Sequence, residues 1–405
     1  MVLELDAGLV FQPEGDAEFF SLLPERPAVC LIAPRDAAAE PYLIRTADLR
    51  RRLQRLLGPA DLGSKRLNLR EFAHTVRYRE TASPFEQALV YYRTARQFFP
   101  KRYGQLVRLR PAPILKINLR NPYPRCFVTR RIVVNEQGMP AAGAYYGPFR
   151  SRKSAEAFAE SALDFFKVRR CQIKIRRDPS YPGCMYSEMK MCLAPCFAGC
   201  TKEEYDAEVG RLVQFMDTSG GSLHETLGKE REEASEQLDF EKAAVIHKKI
   251  EKLDDALRGQ PELVRRIEKL DAVVLQRSTQ EHTVALFAIR GGRFAEPFWL
   301  HFGDTGQPAS AEETVRDSLE NLVNAPPALS SNTRQSAAEL SEHLTLLARW
   351  FFSNPREGEI FFREKDWPYR RILRACSRLL APREEQKRTK DAGHEGGNAQ
   401  SEETK

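Results

Sequence analysis

The sequence predicts an α+β protein built from several domains. Its 405 residues exceed what a single core ordinarily organises, and hydrophobic residues, at 42%, suffice to fill more than one. Apolar residues alternate with period two in some segments and recur at helical spacing in others, and the two patterns occupy separate blocks. Five of the eight cysteines fall within the 30 residues from Cys171 to Cys200, in a proline-containing stretch with little regular pattern, which sets it apart from both kinds of block.

Residues 28–32 and 41–44 read as short strands. Thr46 is a candidate N-cap for a helix over 48–57, with Leu49, Leu53, Leu56 and Leu57 on one face. A second helix is expected over 83–99, ended by Pro100. Residues 105–146 look strand-rich, and a turn at Tyr146-Gly147-Pro148 leads into a helix over 153–166. Thr201 and Glu204 form a capping box, so a helix starts at Lys202 and runs to the Ser219-Gly220-Gly221 break. Two helices over 223–237 and 240–258, joined by a very short turn, should lie antiparallel. Strands return from Asp271, with Gly291-Gly292 as a hairpin turn. This C-terminal region is expected to mix a β-meander with helices. Residues 305–335 read as a loop around one helix, and 340–352 as an amphipathic helix with Leu344, Leu347 and Phe351 inward. The charged tail from Pro382 reads as disordered. The expected domains are 1–104, 105–218, 219–260 and 261–381, followed by the tail 382–405.

The net charge of +7 is unevenly placed. Between Lys101 and Ser180 there are 18 Lys plus Arg against five acids, a surplus of +13, so the rest of the chain is net acidic. Tyr103, Tyr123, Phe127, Tyr145, Tyr146 and Phe149 interleave these charges, and arginine, whose planar fork fits phosphate, predominates. The pattern favours a nucleic-acid-binding surface over a merely solvated face. Candidate contacts within it are Arg125, Arg130, Arg131, Arg169 and Arg170. No stretch approaches the roughly 20 apolar residues of a membrane helix. The acidic N-terminus does not read as a signal peptide, so a cytoplasmic protein is expected.

In a reducing compartment, cysteines at this density are metal ligands sooner than disulfides. Their spacing is Cys171-x12-Cys184-x7-Cys192-x3-Cys196-x3-Cys200. Structural zinc uses two close pairs, and only Cys192, Cys196 and Cys200 are spaced that way. Four spread thiolates equally suit an iron–sulfur cubane. Lys167, Arg169, Arg170, Lys174, Arg176 and Arg177 surround the first cysteine and offset thiolate charge. Spacing leaves zinc and iron–sulfur open.

The segment 145–257 resembles UvrC, the C subunit of the bacterial excision-repair nuclease. The resemblance is carried by Tyr146-Gly147-Pro148-Phe149, Cys171, GCMYSEMKMCLAPC at 183–196, TKEEYDAEVGRLVQFM at 201–216 and QLDFEKAAVIHKKIEKL at 237–253. It implies a 4Fe-4S cluster on Cys171, Cys184, Cys192 and Cys196, with zinc as the alternative and Cys200 as a spare thiol. It also implies that the hairpin at 223–258, similar to the family's UVR motif, docks on the matching hairpin of a UvrB-like repair protein. The residues for that contact are Leu238, Phe240, Ala243, Ala244, Ile246, Ile250 and Leu253, read as an exposed apolar seam. His247-Lys248 stands where the family has Arg-Asp, and rim charges of this kind govern partner choice.

Residues 27–104 resemble a degenerate GIY-YIG nuclease domain. Pro27-Ala28-Val29-Cys30 stands for the family's Pro-Gly-Val-Tyr, and Tyr42-Leu43-Ile44 for Tyr-Val-Gly, followed by Arg45 for lysine. Arg52 matches the catalytic arginine, Tyr92 occupies the place of the metal-binding glutamate, and Gly104 replaces an asparagine. Glu86, six residues before Tyr92, lies about 600° around the helix and is a poor substitute. No intact catalytic set and no divalent metal are expected here; Tyr42, Arg45 and Arg52 remain as phosphate contacts. Residues 271–362 look like the family's connecting region, and no carboxylate cluster follows. The expected function is that of a UvrC-like excision-repair protein that binds DNA and a UvrB-like partner without cutting. The alternatives are a divergent but active GIY-YIG endonuclease and an interaction module with no DNA role.

Overall fold

The computed structural model describes residues 4–59, 65–302, 313, 315–320 and 333–381. They form three antiparallel sheets with helices packed on their faces. In the first, β1 (Ala7–Val10), β2 (Ala28–Pro34), β3 (Tyr42–Thr46) and β4 (Ala73–Glu80) lie in the order β1-β4-β2-β3. Strand alternation divides β2 between two cores. Ala28, Cys30 and Ile32 face α1 (Asp16–Ser21) and α2 (Leu49–Leu57), whereas Val29 and Leu31 face α3 (Pro84–Phe98). The four leucines expected inward on α2 are all buried. Its cap is Asp48, not Thr46: the Asp48 carboxylate accepts the Arg51 N–H at 2.9 Å, while the Thr46 hydroxyl accepts the Asp48 N–H at 3.2 Å. Both side chains can cap, and the aspartate is one position closer to the helix.

The second sheet joins β5 (Ile114–Ile117), β6 (Cys126–Thr129), β7 (Ala144–Gly147) and β8 (Arg265–Arg266) in the order β6-β5-β7-β8. The strand expected at the start of 105–146 is instead the short helix α4 (Tyr103–Val107), closed by Arg108 at φ 49°. Pro111 and Pro113 then deny the segment a ladder of donors. Against this sheet pack α5 (Arg152–Leu163) and α7 (Lys202–Asp217), whose Thr201–Glu204 capping box forms as expected. The four-residue α6 (Met185–Glu188) lies between them in sequence. The next two helices, α8 (Gly221–Glu236) and α9 (Phe240–Arg258), form the antiparallel hairpin. Gly220 makes its entry possible: at φ +90°, a Cβ there would lie 2.4 Å from the Leu257 side chain.

The third sheet contains β9 (Ala272–Arg277), β10 (Thr283–Arg290), β11 (Arg293–Phe294), β12 (Phe298–His301) and β13 (Glu359–Phe362). Strands β11 and β12 both pair with β10 and are one run interrupted before Phe298, where Pro297 lacks an N–H. Gly291 and Gly292, at φ 52° and 78°, make the two-residue turn. Val274, Ala285, Phe287 and Ile289 face α3 and α10 (Thr333–Phe351); Val273, Leu275, Val284 and Leu286 face α11 (Tyr369–Leu380). With both faces covered, β9 and β10 are apolar along most of their length. Leu344 and Leu347 point inward as expected, and Phe351 is only half-buried. Of the loop and helix expected over 305–335, residues 313 and 315–320 are helical and 333–335 begin α10. The rest of that segment lies outside the described residues, as does the tail 382–405.

One core crosses all three expected segments around the hairpin. It unites Val29, Leu31 and Leu43, the inner face of α3, Ile114 and Tyr145, and the α10 side of the third sheet. The Phe85 ring meets Phe287 and Trp350 with centroids 5.2 and 5.6 Å apart. Beside it, the buried Ser83 hydroxyl donates to Gln276 at 2.6 Å.

Candidate functional site

Four cysteines line a single cavity of about 190 Å³: Cys171, Cys184, Cys192 and Cys196, with Tyr181, Met185 and Pro195 among the remaining wall residues. Each arrives by a different local device. Cys171 follows the buried Val168-Arg169 pair. Cys184 is the N-cap of α6, its N–H donating to the Ser187 hydroxyl at 3.0 Å. Cys192 accepts the Ala194 N–H at 3.3 Å, and Cys196 sits in a single 3-10 turn between Ala194 and Ala198, both left-handed at φ 56° and 62°. Non-glycine residues in that region cost conformational energy, which the surrounding structure must offset. Among the described residues no three His, Cys, Asp or Glu side chains stand close enough to hold one metal ion; the thiols surround the cavity instead of converging on a point.

Burial pushes the Cys192 thiol up to about 11; the Ala194 N–H opposes this, while Cys171, Cys184 and Cys196 add to the rise. Burial likewise raises Cys196. A bound cation reverses that preference by stabilising thiolate. Arg169 supplies a positive neighbour: its guanidinium lies 3.7 Å from the Cys171 sulfur and donates to the carbonyls of Cys171, Ile173 and Tyr123 at 3.2, 3.0 and 2.8 Å. Cys200 does not line the cavity and is buried in the core under α7.

The hairpin divides its apolar residues between two faces. Ile246, Ile250 and Leu253 are buried against the second sheet's core, and Ala243 is half-buried beside them. The expected exposed seam is therefore corrected for these residues. At 100° per residue they occupy one arc of α9, and Phe240 and Ala244 occupy another. Leu238, Phe240 and Val245 are exposed at 72%, 67% and 56%, with Ala244 exposed between them. Leu238 forms the turn at φ 58°, and Asp239 caps α9 through the Lys242 N–H at 3.0 Å. Val245 escaped the sequence reading because it breaks the heptad-like spacing of the others.

Residues 112–215 match the family model for the UvrC/Cho excinuclease middle domain, and residues 221–256 match the UvrB/uvrC motif. The chain thus carries a UvrC-type middle domain and a UvrB/uvrC motif. It is similar to the UvrABC system protein C of Dehalococcoides mccartyi, 25% identical over 79% of this chain and 52% of that protein. The protein of the same name from Ruminiclostridium cellulolyticum is 30% identical over 45% of this chain and 29% of its own length. The one from Thermoanaerobacter is 23% identical over 91% and 60% respectively. The chain spans about half the length of the curated relatives it matches. No solved structure matches it significantly. All four cavity cysteines fall within the matched UvrC middle domain, and the exposed hairpin tip within the UvrB/uvrC motif.

The N-terminal positions assigned by resemblance divide: Cys30 and Tyr92 are buried in separate cores, whereas Tyr42 and Arg45 both act on Tyr91. Tyr92 is 1% exposed, its hydroxyl donating to Glu342 on α10 at 2.7 Å and accepting from Arg96 at 3.0 Å. Burial, then Glu342, hold its phenol far above the ordinary range. Arg52 is half-buried on α2, across the sheet from α3, while Cys30 is wholly buried. Glu86 is buried and accepts the Ala82 N–H at 2.8 Å; burial is the largest cause of its raised pKa. The phenol beside Arg45 is Tyr91, with the guanidinium 5.5 Å from its ring, a neighbour the motif alignment passed over. Tyr42 is half-buried.

Two of the expected DNA-contacting arginines are corrected. Arg169, 3% exposed, is fully engaged with backbone carbonyls and Cys171, and Arg170 pairs with Asp164 at 2.9 Å in a largely buried setting. Their position beside the cysteine turn requires internal donors there. Arg125 is half-buried, 4.3 Å from the Phe127 ring. Arg130 and Arg131 are exposed, as is Arg45. No helix among the described residues is long and apolar enough to cross a membrane.

Proposed function

We propose that this chain acts in nucleotide excision repair as a DNA- and partner-binding protein that holds a 4Fe-4S cluster and does not cut DNA at its N-terminal domain. The observation that carries the reading is the convergence of Cys171, Cys184, Cys192 and Cys196 on one cavity inside a UvrC middle domain, with Cys200 left out. Four soft donors spread around a cavity suit a multi-atom cluster better than one zinc ion, whose sulfur ligands lie about 2.3 Å from a single centre. Bound there, the cluster would tie four chain segments together and store an electron. Arg169 and the Ala194 N–H would hold and polarise Cys171 and Cys192, and the apolar wall would limit water.

Exposed Arg130 and Arg131 supply DNA phosphate contacts, and Leu238, Phe240, Ala244 and Val245 form the face for a UvrB-like hairpin. A phosphodiesterase at the N-terminal domain would need a metal ligand where Tyr92 is packed against α10. Anaerobic purification with iron, sulfide and zinc analysis tests the cofactor: four iron and four sulfide per chain are expected, and zinc without iron overturns it. A metal-dependent nicking assay on damaged duplex tests the rest; no cleavage is expected, and cleavage abolished by Arg52→Ala overturns the non-cutting assignment.

A further inference from the structure

Folding gathers three arginines that are far apart in sequence. Arg45 lies on β3, Arg108 follows α4 and Arg349 lies near the end of α10, and all three are exposed. The Arg45 guanidinium is 5.5 Å from the Tyr91 ring centre, and Arg349 donates to the Arg108 carbonyl at 3.2 Å. Burial raises the Tyr91 phenol, Arg45 and Arg108 oppose that rise, and Tyr42 adds to it. Arg349 is lowered by burial and then by the charge of Arg45. These mutual influences link the two contacts into one patch.

No carboxylate is among the groups that act on Tyr91 or Arg349, and none of the three arginines forms an ion pair with a described carboxylate. Nearby arginines differ: Arg93 pairs with Glu296 at 2.7 Å, Arg96 with Glu339 at 2.7 Å, and Arg102 with Glu40. Uncompensated like charges at close quarters disfavour the folded chain until an anion enters among them. Guanidinium forks match phosphate oxygens, and a partly exposed tyrosine adds a hydroxyl donor.

We propose that Arg45, Arg108, Arg349 and Tyr91 form a binding site for the phosphodiester backbone of DNA, completed when α10 packs against α3. The site rests on the DNA-binding reading above but adds to it: Arg349 comes from the C-terminal region, outside the basic block and both matched family segments. Its contribution is read from the salt dependence of duplex DNA binding by the full chain, measured by fluorescence anisotropy. Each of Arg45→Gln, Arg108→Gln and Arg349→Gln should lower the slope of log K against log salt by about 0.9, and the triple variant by between about two and three. Arg349→Lys should keep the slope, because it keeps the charge. Lys229→Gln on α8, which breaks only the pair with Glu225, should also keep it. An unchanged slope in the triple variant, with its circular-dichroism melt preserved, overturns this site while leaving the DNA-binding reading intact. Weaker binding at unchanged slope overturns it as well. Absence of DNA binding by the unmodified chain at low salt defeats both.

Discussion

In the cysteine region, left-handed alanines and a buried arginine keep four thiols around a cavity that stays open. In the N-terminal domain, unstrained helix and strand geometry carries Cys30 and Tyr92 into packed cores. The cysteine region lies within the matched middle domain and the N-terminal domain lies outside both matched segments, and the two regions treat their candidate site residues oppositely. Around the four cysteines, the backbone holds left-handed conformations at Ala194 and Ala198. In the N-terminal domain, Cys30 and Tyr92 are ordinary packing residues.

The largest expected effect is on the cavity. Cys192→Ser should abolish metal retention and lower the melting temperature, whereas Cys200→Ser should leave iron content unchanged; equal losses from both would erase the distinction between cavity and core. Arg169→Lys should weaken metal retention by about 10–100-fold, as second-layer partners of metal sites do. A chelator-competition series reads this directly.

In the N-terminal domain, Tyr92→Glu should restore no cleavage. It should destabilise the chain by about 3 kcal/mol or more, because a carboxylate would be buried beside Glu342. Urea denaturation and the nicking assay together decide; a stable, cutting variant would mean that the pocket is preserved. The hairpin offers a comparison on a single helix. Ile250→Ala should cost about 2–5 kcal/mol. Phe240→Ala should change stability by no more than about 0.5 kcal/mol yet weaken capture of a UvrB-type hairpin, read by calorimetry.

The smallest effect is a pH dependence in the shared core. His343 is buried, and its Nδ1 accepts the Phe294 N–H at 3.1 Å, so it is held neutral with its pKa well below 6.5, first by burial and then by nearby arginines. The unfolded chain takes up a proton below that value and the folded chain does not. Stability should therefore fall as pH drops below about 6.5, by at most about 1.4 kcal/mol per unit until the folded-state pKa is reached. Comparison of the acid limb with His343→Gln isolates the contribution.

Periodicity and caps made most elements legible: the α2 leucines, the Thr201–Glu204 box and the Gly291-Gly292 turn all follow from local rules. The family resemblance separated the four cysteines that line the cavity from Cys200. Spacing alone did not. Direction was less legible than existence. Phe240 and Ile250 are equally apolar on one helix, and only the rest of the chain decides which is covered. Arg169 looks like its basic neighbours in sequence, but its burial depends on Tyr123 and Tyr205, contributed from far along the chain. Tyr91 and Tyr92 are adjacent and meet different polar neighbours, Arg45 and Glu342, a difference of one position that a degenerate motif does not fix.

The Tyr92–Glu342 bond joins residues 250 positions apart. A ribosome adding about 5–20 residues per second needs about 12–50 s to cover that distance. Until then α3 has only β2, β3 and α4 as partners, and the side that meets α10 and the third sheet, with Phe85 and Tyr92, stays uncovered while the cysteine segment and the hairpin are made. The first sheet to be synthesised is thus among the last to be finished. During that interval the chain presents an apolar surface that chaperones would occupy, which ties production of this protein to their supply.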